Sequence, residues 1–249
     1  MKRTGAFFVS LLCAAVMIPL CFAAPYRVRA AVSDYNEQGV YQALLAMKSQ
    51  YPEGMKFDNS TPYNSKNNPY VWHPARLNTG GCAAFAAILS DTVFGTALPV
   101  REYEDIRSAR AGDVLRYYAG ANEHTVIVLQ KLSDSVEVAE GNYGGTVHWG
   151  RKISFTELQN NKRYFYTRDP VRGDTDLSGN VSVEDVQLAL GAYTNQVSGK
   201  NNGLSVIRHS CADADRNGSL TIVDVQMILI YYTRNVVSRQ NVPWEQILS

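Results

Sequence analysis

Cys82 follows two glycines in Gly80-Gly-Cys82-Ala-Ala-Phe-Ala-Ala-Ile-Leu-Ser90. That run reads as a tight turn entering a buried helix, because glycine frees the backbone while alanine and leucine favour helix. A helix N-terminus stabilises negative charge, and a nearby imidazolium stabilises it further, so a thiol there can be a thiolate near neutral pH. His124 supplies an imidazole where the stretch Glu123-His-Thr-Val-Ile-Val-Leu129 opens a strand after a turn. The next apolar stretch ends in Glu140-Gly-Asn142. Either Glu140 or Asn142 can accept the second imidazole N–H and fix the ring's tautomer, as the third member of a triad does. An isolated cysteine is more often a small core residue; the company of His124 makes Cys82 a candidate nucleophile.

A second constellation is acidic and occurs twice. Asp174, Asp176, Ser178, Gly179 and Asp185 are matched by Asp213, Asp215, Asn217, Gly218 and Asp224, and each set runs on into an apolar helix. Calcium takes six to eight oxygen ligands, which a loop can supply from its positions 1, 3, 5, 7 and 12, with glycine at position 6 for the sharp turn. Asn180 or Ser219 then serves through its backbone carbonyl at position 7, and Ser182 or Thr221 through a water at position 9. One Asp-rich turn is an ordinary solvated loop; two matched copies predict two calcium ions. Position 12 is aspartate in both loops, where calcium sensors prefer glutamate, and Pro170 disfavours a helix before the first loop.

The elements that must position these groups can also be read. A helix is expected over Asn36–Gln50, with Val40, Ala43, Leu44 and Met47 on one face. A polar and aromatic loop follows from Tyr51 to Thr79, including Trp72, His73 and Asn78. After the helix that carries Cys82, four apolar runs read as antiparallel strands: Asp113–Tyr118, His124–Leu132, Val136–Glu140 and Val147–Ile153. Helix followed by sheet argues for an α+β domain. His73 and His148 are expected to be structural or groove residues, and Trp72, Tyr143 and Trp149 to line a cleft or join the core. The backbone N–H of Cys82 is one candidate oxyanion donor and Asn78 a second.

The chain of 249 residues is long enough for one medium domain and a small one. Its 24 basic and 23 acidic residues give a net charge of +1, which leaves no field to recruit nucleic acid or an anionic membrane. Lys2 and Arg3, the apolar run Ala6–Ala24 and small residues near Ala30 have the layout of a secretory signal over residues 1–30. Cleavage is expected after Ala30 or Ala24; Pro19 argues against a membrane anchor, and the residues before Cys21 argue against a lipid one. Removal of the signal takes Cys13 and Cys21, so only Cys82 and Cys211 remain. A bridge between them would tie together two regions that read as separate domains, 31–167 and 168–249.

Two resemblances follow from these motifs. The doubled loop with a single exiting helix, aspartate at position 12 and a C-terminal location resembles a type I dockerin, a small all-α module that clips secreted enzymes onto cohesin modules of a cellulosome-type scaffold. By position, the cohesin-reading residues would be Val183 and Glu184 in the first repeat and Ile222 and Val223 in the second. Gly-Gly-Cys82 at a helix start, Ala111-Gly-Asp-Val-Leu before a strand, His124 and Glu140-Gly-Asn142 together resemble the CHAP and NlpC-type families of papain-like cysteine hydrolases. That resemblance implies a helix carrying Cys82 packed on an antiparallel sheet, with Cys82, His124, Glu140 and Asn142 cutting amide bonds in peptidoglycan or protein. A catalytically inactive binding or structural subunit of the same scaffold stands as the alternative, and a glycosidase is disfavoured because no separated carboxylate pair is evident.

Overall fold

A computed structural model describes residues 35–61, 80–95 and 98–247. The expected signal segment, Trp72, His73 and Asn78 lie outside the described residues. The fold is α+β. Helix α1 (Glu37–Ala46) starts where the Asn36 side chain accepts from Gly39 N–H at 2.8 Å and buries Val40, Ala43 and Leu44; a 3-10 turn, Met47–Ser49, extends it. Helix α2 (Gly81–Phe94) is apolar on nearly every side and is buried accordingly.

Six strands follow: β1 (Arg101–Tyr103), β2 (Val114–Ala119), β3 (Asn122–Lys131), β4 (Ser135–Tyr143), β5 (Thr146–Ser154) and, after helix α3 (Phe155–Asn160), β6 (Lys162–Thr167). They form one antiparallel sheet in the order β1-β6-β2-β3-β4-β5. Both faces of the sheet are covered. Ile127, Leu129 and Ala139 face α1 and α2, whereas Val126, Val128, Val136 and Val138 join a second core closed by Ile106 and by Leu158 of α3. Burial on both faces explains why the middle of β3 is a continuous apolar run instead of an alternating one. Trp149 packs edge-on to Phe85 against the first core and donates its indole N–H to the Tyr51 carbonyl, so it belongs to the core and not to a cleft.

Helices α4 (Val183–Val197), α5 (Val206–Ala212), α6 (Ile222–Tyr231) and α7 (Trp244–Ile247) surround a third core that includes Val186, Ala189, Leu220, Val225 and Ile228. The Trp244 indole stacks on Tyr231 with centroids 4.2 Å apart and closes this core. Its junction with the sheet is tight. Leu177 and Ile207 pack against the first core, Arg110 pairs with Asp169 at 2.6 Å, and Arg101 donates to the Asp169 carbonyl at 2.5 Å. Cys82 and Cys211 are both free, so no bridge joins the two regions.

Arg168 leaves the end of β6 for the interior, where its guanidinium pairs with Asp91 and donates to the Gly95 carbonyl beyond the end of α2. Truncating one member of a buried pair strands the other charge, so Arg168→Ala is expected to cost about 3–5 kcal/mol in urea unfolding. Replacing both partners, as Arg168→Met with Asp91→Leu, should cost less than the single change. A double mutant as unstable as the single one would contradict this reading of the pair.

Candidate functional site

The backbone entering α2 is set by a close approach. Gly81 has φ 60°, and a Cβ at that position would lie 2.4 Å from Asn59 Oδ1 and 3.0 Å from Asn142 Nδ2. Only glycine accepts both the left-handed conformation and the contact. Cys82 is therefore delivered at the first turn of α2, where backbone N–H groups have no helical acceptor. On the sheet side Gly141 makes a second close approach: a Cβ there would meet Phe85 Cβ at 2.6 Å, so glycine lets β4 pack directly on α2.

Strand alternation aims the partners. His124 shares the face of Val126 and Val128, and Glu140 that of Val136 and Val138, which brings the two side chains together on neighbouring strands. His124 Nε2 donates to Glu140 Oε2 at 2.8 Å, and Cys82 stands close enough to the ring for each to shift the other's titration. Cys82, His124 and Glu140 thus stand in one row. Asn142 forms no hydrogen bond with His124. Its backbone is left-handed (φ 59°) and its amide donates to Asn59 Oδ1 at 2.8 Å, beside Gly81.

Glu140 is fully buried and accepts two further bonds from Arg151, Nε to Oε1 at 2.5 Å and Nη2 to Oε2 at 2.7 Å. Arg151 also donates to the Tyr117 hydroxyl at 2.9 Å and lies over the Tyr143 ring, 5.0 Å from its centroid. Arg151 escaped the sequence reading because Gly150 (φ 92°) interrupts the alternation of β5: Val147 and Trp149 face the first core, and Arg151 turns with Ile153 to the second. The usable signal was its two-residue spacing from Ile153, which sends a charged side chain to a buried face. Asn59 gave no signal, since its role depends on the fold of a long loop.

The electrostatics follow from these contacts. Burial alone would push the Cys82 thiol up, but the bond and charge of His124, with N–H and hydroxyl donors from Thr125, outweigh it and leave the pKa below the ordinary thiol value. Burial lowers His124, yet its bonds to Cys82 and Glu140 and their charges raise it to about 9. Glu140 is likewise pushed up by burial and drawn down further by His124 and Arg151, ending below the usual carboxylate value. Both shifts act in the direction of a thiolate–imidazolium pair. The row opens into a cleft of about 600 Å³ lined by Asn59, Arg116, Asn122, Glu123, Asn142 and Tyr143 among others. His148 lies apart, bonded to Glu53 at 2.7 Å and Thr146 at 2.9 Å.

The acidic repeats fold alike. In the first, Asp174 accepts from Ser178 and Gly179 N–H, and Asp185 from Asp176 and Ser182 N–H; in the second, Asp213 accepts from Asn217 and Gly218, and Asp224 from Asp215 and Thr221. Leu177 and Arg216 take the same left-handed conformation one residue before Ser178 and Asn217. Asp174, Asp176 and Asp185 each bring a carboxylate oxygen within 4.8 Å of the others, as do Asp213, Asp215 and Asp224. Burial, with the neighbouring aspartates adding to it against the Gly179 and Gly218 N–H bonds, raises Asp174 to about 6 and Asp213 above its ordinary value. No described lysine or arginine forms a salt bridge to either triad. Crowded carboxylates without a basic partner are the donor chemistry of a metal site, and both triads fit a metal ion.

Ser178 Oγ faces the Asn180 carbonyl at 3.3 Å, and the hydroxyls of Ser182 and Thr221 hydrogen-bond Asp185 and Asp224 in capping boxes of α4 and α6. Ser219 N–H donates to Asn217 Oδ1 at 2.9 Å. Val183, Glu184, Ile222 and Val223 are exposed on the first turns of α4 and α6. No helix among the described residues is long and apolar enough to cross a membrane. No family model, curated protein or solved structure matches the chain.

Glu140→Gln should keep the shape of the row but remove one of the two charges, Cys82 and Glu140, that raise His124. The pKa of His124 is expected to fall from about 9 toward the ordinary imidazole value, so the imidazolium is lost at lower pH. Asn142→Ala should leave that pKa in place, because Asn142 carries no charge and its amide is hydrogen-bonded to Asn59 instead of the ring. An NMR titration in which Glu140→Gln moves nothing would refute this electrostatic account.

Proposed function

We propose that the chain is a secreted cysteine hydrolase of amide bonds, carried on a scaffold by a calcium-dependent dockerin-like module. The observation that carries the enzymatic part is the buried row Cys82–His124–Glu140 at a helix start, opening into the cleft. In this reading the Cys82 thiolate attacks the amide carbonyl, and the backbone N–H of Cys82 meets the developing oxyanion. The imidazolium of His124 protonates the leaving amine, then takes a proton from the water that hydrolyses the acyl-enzyme. Glu140, fixed by Arg151, holds the ring's tautomer and stabilises its positive form. The resemblance to CHAP and NlpC-type domains of papain-like hydrolases assigns the substrate class, peptide amides of peptidoglycan or protein.

For the C-terminal part the supporting observation is the repeated hydrogen-bond scheme of the two acidic loops. Oxygen-only donors on short loops suit calcium, which would be held by Asp174, Asp176 and Asp185 and by Asp213, Asp215 and Asp224, with the Asn180 and Ser219 carbonyls completing each set. Calcium bound there would offset two of the three carboxylate charges of each triad. Val183, Glu184, Ile222 and Val223 then form the exposed surface offered to a cohesin.

Two measurements test these assignments. Cys82→Ala should abolish hydrolysis of a peptidoglycan stem peptide or a protein substrate while far-UV circular dichroism stays unchanged; turnover near the native level would place the chemistry elsewhere. Chelation should lower the melting temperature of the full chain by several degrees, because a metal bound only by the folded state stabilises it. Asp224→Ala should remove most of that calcium dependence at the second loop. A melting curve indifferent to both chelator and Asp224→Ala would rule out calcium as a folding partner.

A further inference from the structure

A second cavity, about 480 Å³, lies where the sheet-bearing part meets the acidic loops; its walls include Arg110, Asp169, Arg172, Leu204, His209 and Arg216. Its charges are unevenly satisfied. Arg110 is engaged by Asp169 at 2.6 Å and Glu37 at 2.9 Å. Asp213, also on the wall, is committed to the N–H groups of Asn217 and Gly218 and to its own triad. Among the described residues neither Arg172 nor Arg216 forms a salt bridge, although both border the same space.

Arg172 is held against an aromatic ring. Its guanidinium lies over the Trp244 ring, 5.5 Å from the centroid, and Trp244 is itself stacked on Tyr231. Its Nε is buried without a hydrogen-bond partner. Stacking fixes the plane of a guanidinium and leaves its N–H edge for a carboxylate or phosphate. Arg216 lines the same cavity as Arg172, and the carboxylates nearby, Glu245, Asp213 and Asp215, form no salt bridge with Arg172. Two guanidinium groups on one concave surface, neither in a salt bridge, suit an anion that can reach both.

We propose that this cavity binds a small organic anion, an oxyanion group on a short apolar stem, with Arg172 and Arg216 gripping the oxyanion and Leu204, Val206 and Pro170 against the stem. The ligand would contact both parts of the chain and hold them together. Arg216 belongs to the second acidic loop, so a cation on the Asp213 triad and an anion in the cavity favour one another, and the coupling is reciprocal. Neither the thiol chemistry nor docking to a partner enters this inference.

The test is isothermal titration calorimetry of the full chain at low ionic strength in calcium, with phenyl phosphate and benzoate as probes and phenol as the neutral control. Saturable binding of at least one oxyanion probe, not matched by phenol, is expected. Its affinity should fall ten-fold or more in both Arg172→Gln and Arg216→Gln. Arg216 is exposed, so Arg216→Gln should fold normally, as circular dichroism would verify, and its result stands even if the loss of Arg172 from Trp244 destabilises the other variant. The proposal is overturned if neither probe saturates at millimolar concentration, if phenol binds equally well, or if Arg216→Gln leaves the affinity unchanged.

Discussion

A carboxylate sealed from solvent cannot persist uncompensated, and the site is organised around that constraint at Glu140. Arg151 satisfies it with two hydrogen bonds and a full charge, and His124 adds a third bond. Meeting the constraint draws on four adjacent strands: Tyr117 from β2, His124 from β3, Glu140 from β4 and Arg151 from β5. The sheet must be in register for any of it to hold. With Nε2 tied to Glu140, the other imidazole nitrogen is left for the sulfur of Cys82, and the ring's raised proton affinity favours ionisation of the thiol.

The helix makes the complementary demand. A nucleophile at the first turn of α2 needs the preceding chain to pass against Asn59 without side chains in the way, which is why glycines stand at 80 and 81. Gly141 meets the same need from β4, letting Phe85 press onto the strand between Glu140 and Asn142. Helix and sheet are thereby locked at the distance that joins thiol to imidazole. Asn142, on a left-handed backbone, braces this corner through Asn59 and not through His124.

Much of this was legible from residue order and period. The Ala-rich run after Gly81 reads as a buried helix, the apolar runs after Asp113 read as strands, and alternation puts Glu140 on the face of Val136 and Val138. The matched aspartates announced two alike loops. What stayed hidden depends on distant chain segments. Strands β1 and β6 are short and mixed in polarity, and they pair only because β2 offers an edge. Arg151 is displaced to its face by the irregularity at Gly150, Asn59 acts from a loop without periodicity, and Arg168 looks like a linker residue until α2 supplies Asp91. Trp149 reads equally as cleft or core until the position of Phe85 is known.

The central claim is that Glu140 and His124 hold Cys82 as a thiolate in its resting state. The pH dependence of Cys82 alkylation by iodoacetamide tests it most directly, with Cys82→Ala to identify the reacting thiol. The account predicts that reactivity rises with a midpoint well below the ordinary thiol pKa of about 8.5, and that Glu140→Gln moves this midpoint upward. A thiol that titrates at or above the ordinary value, unaffected by Glu140→Gln, would contradict it.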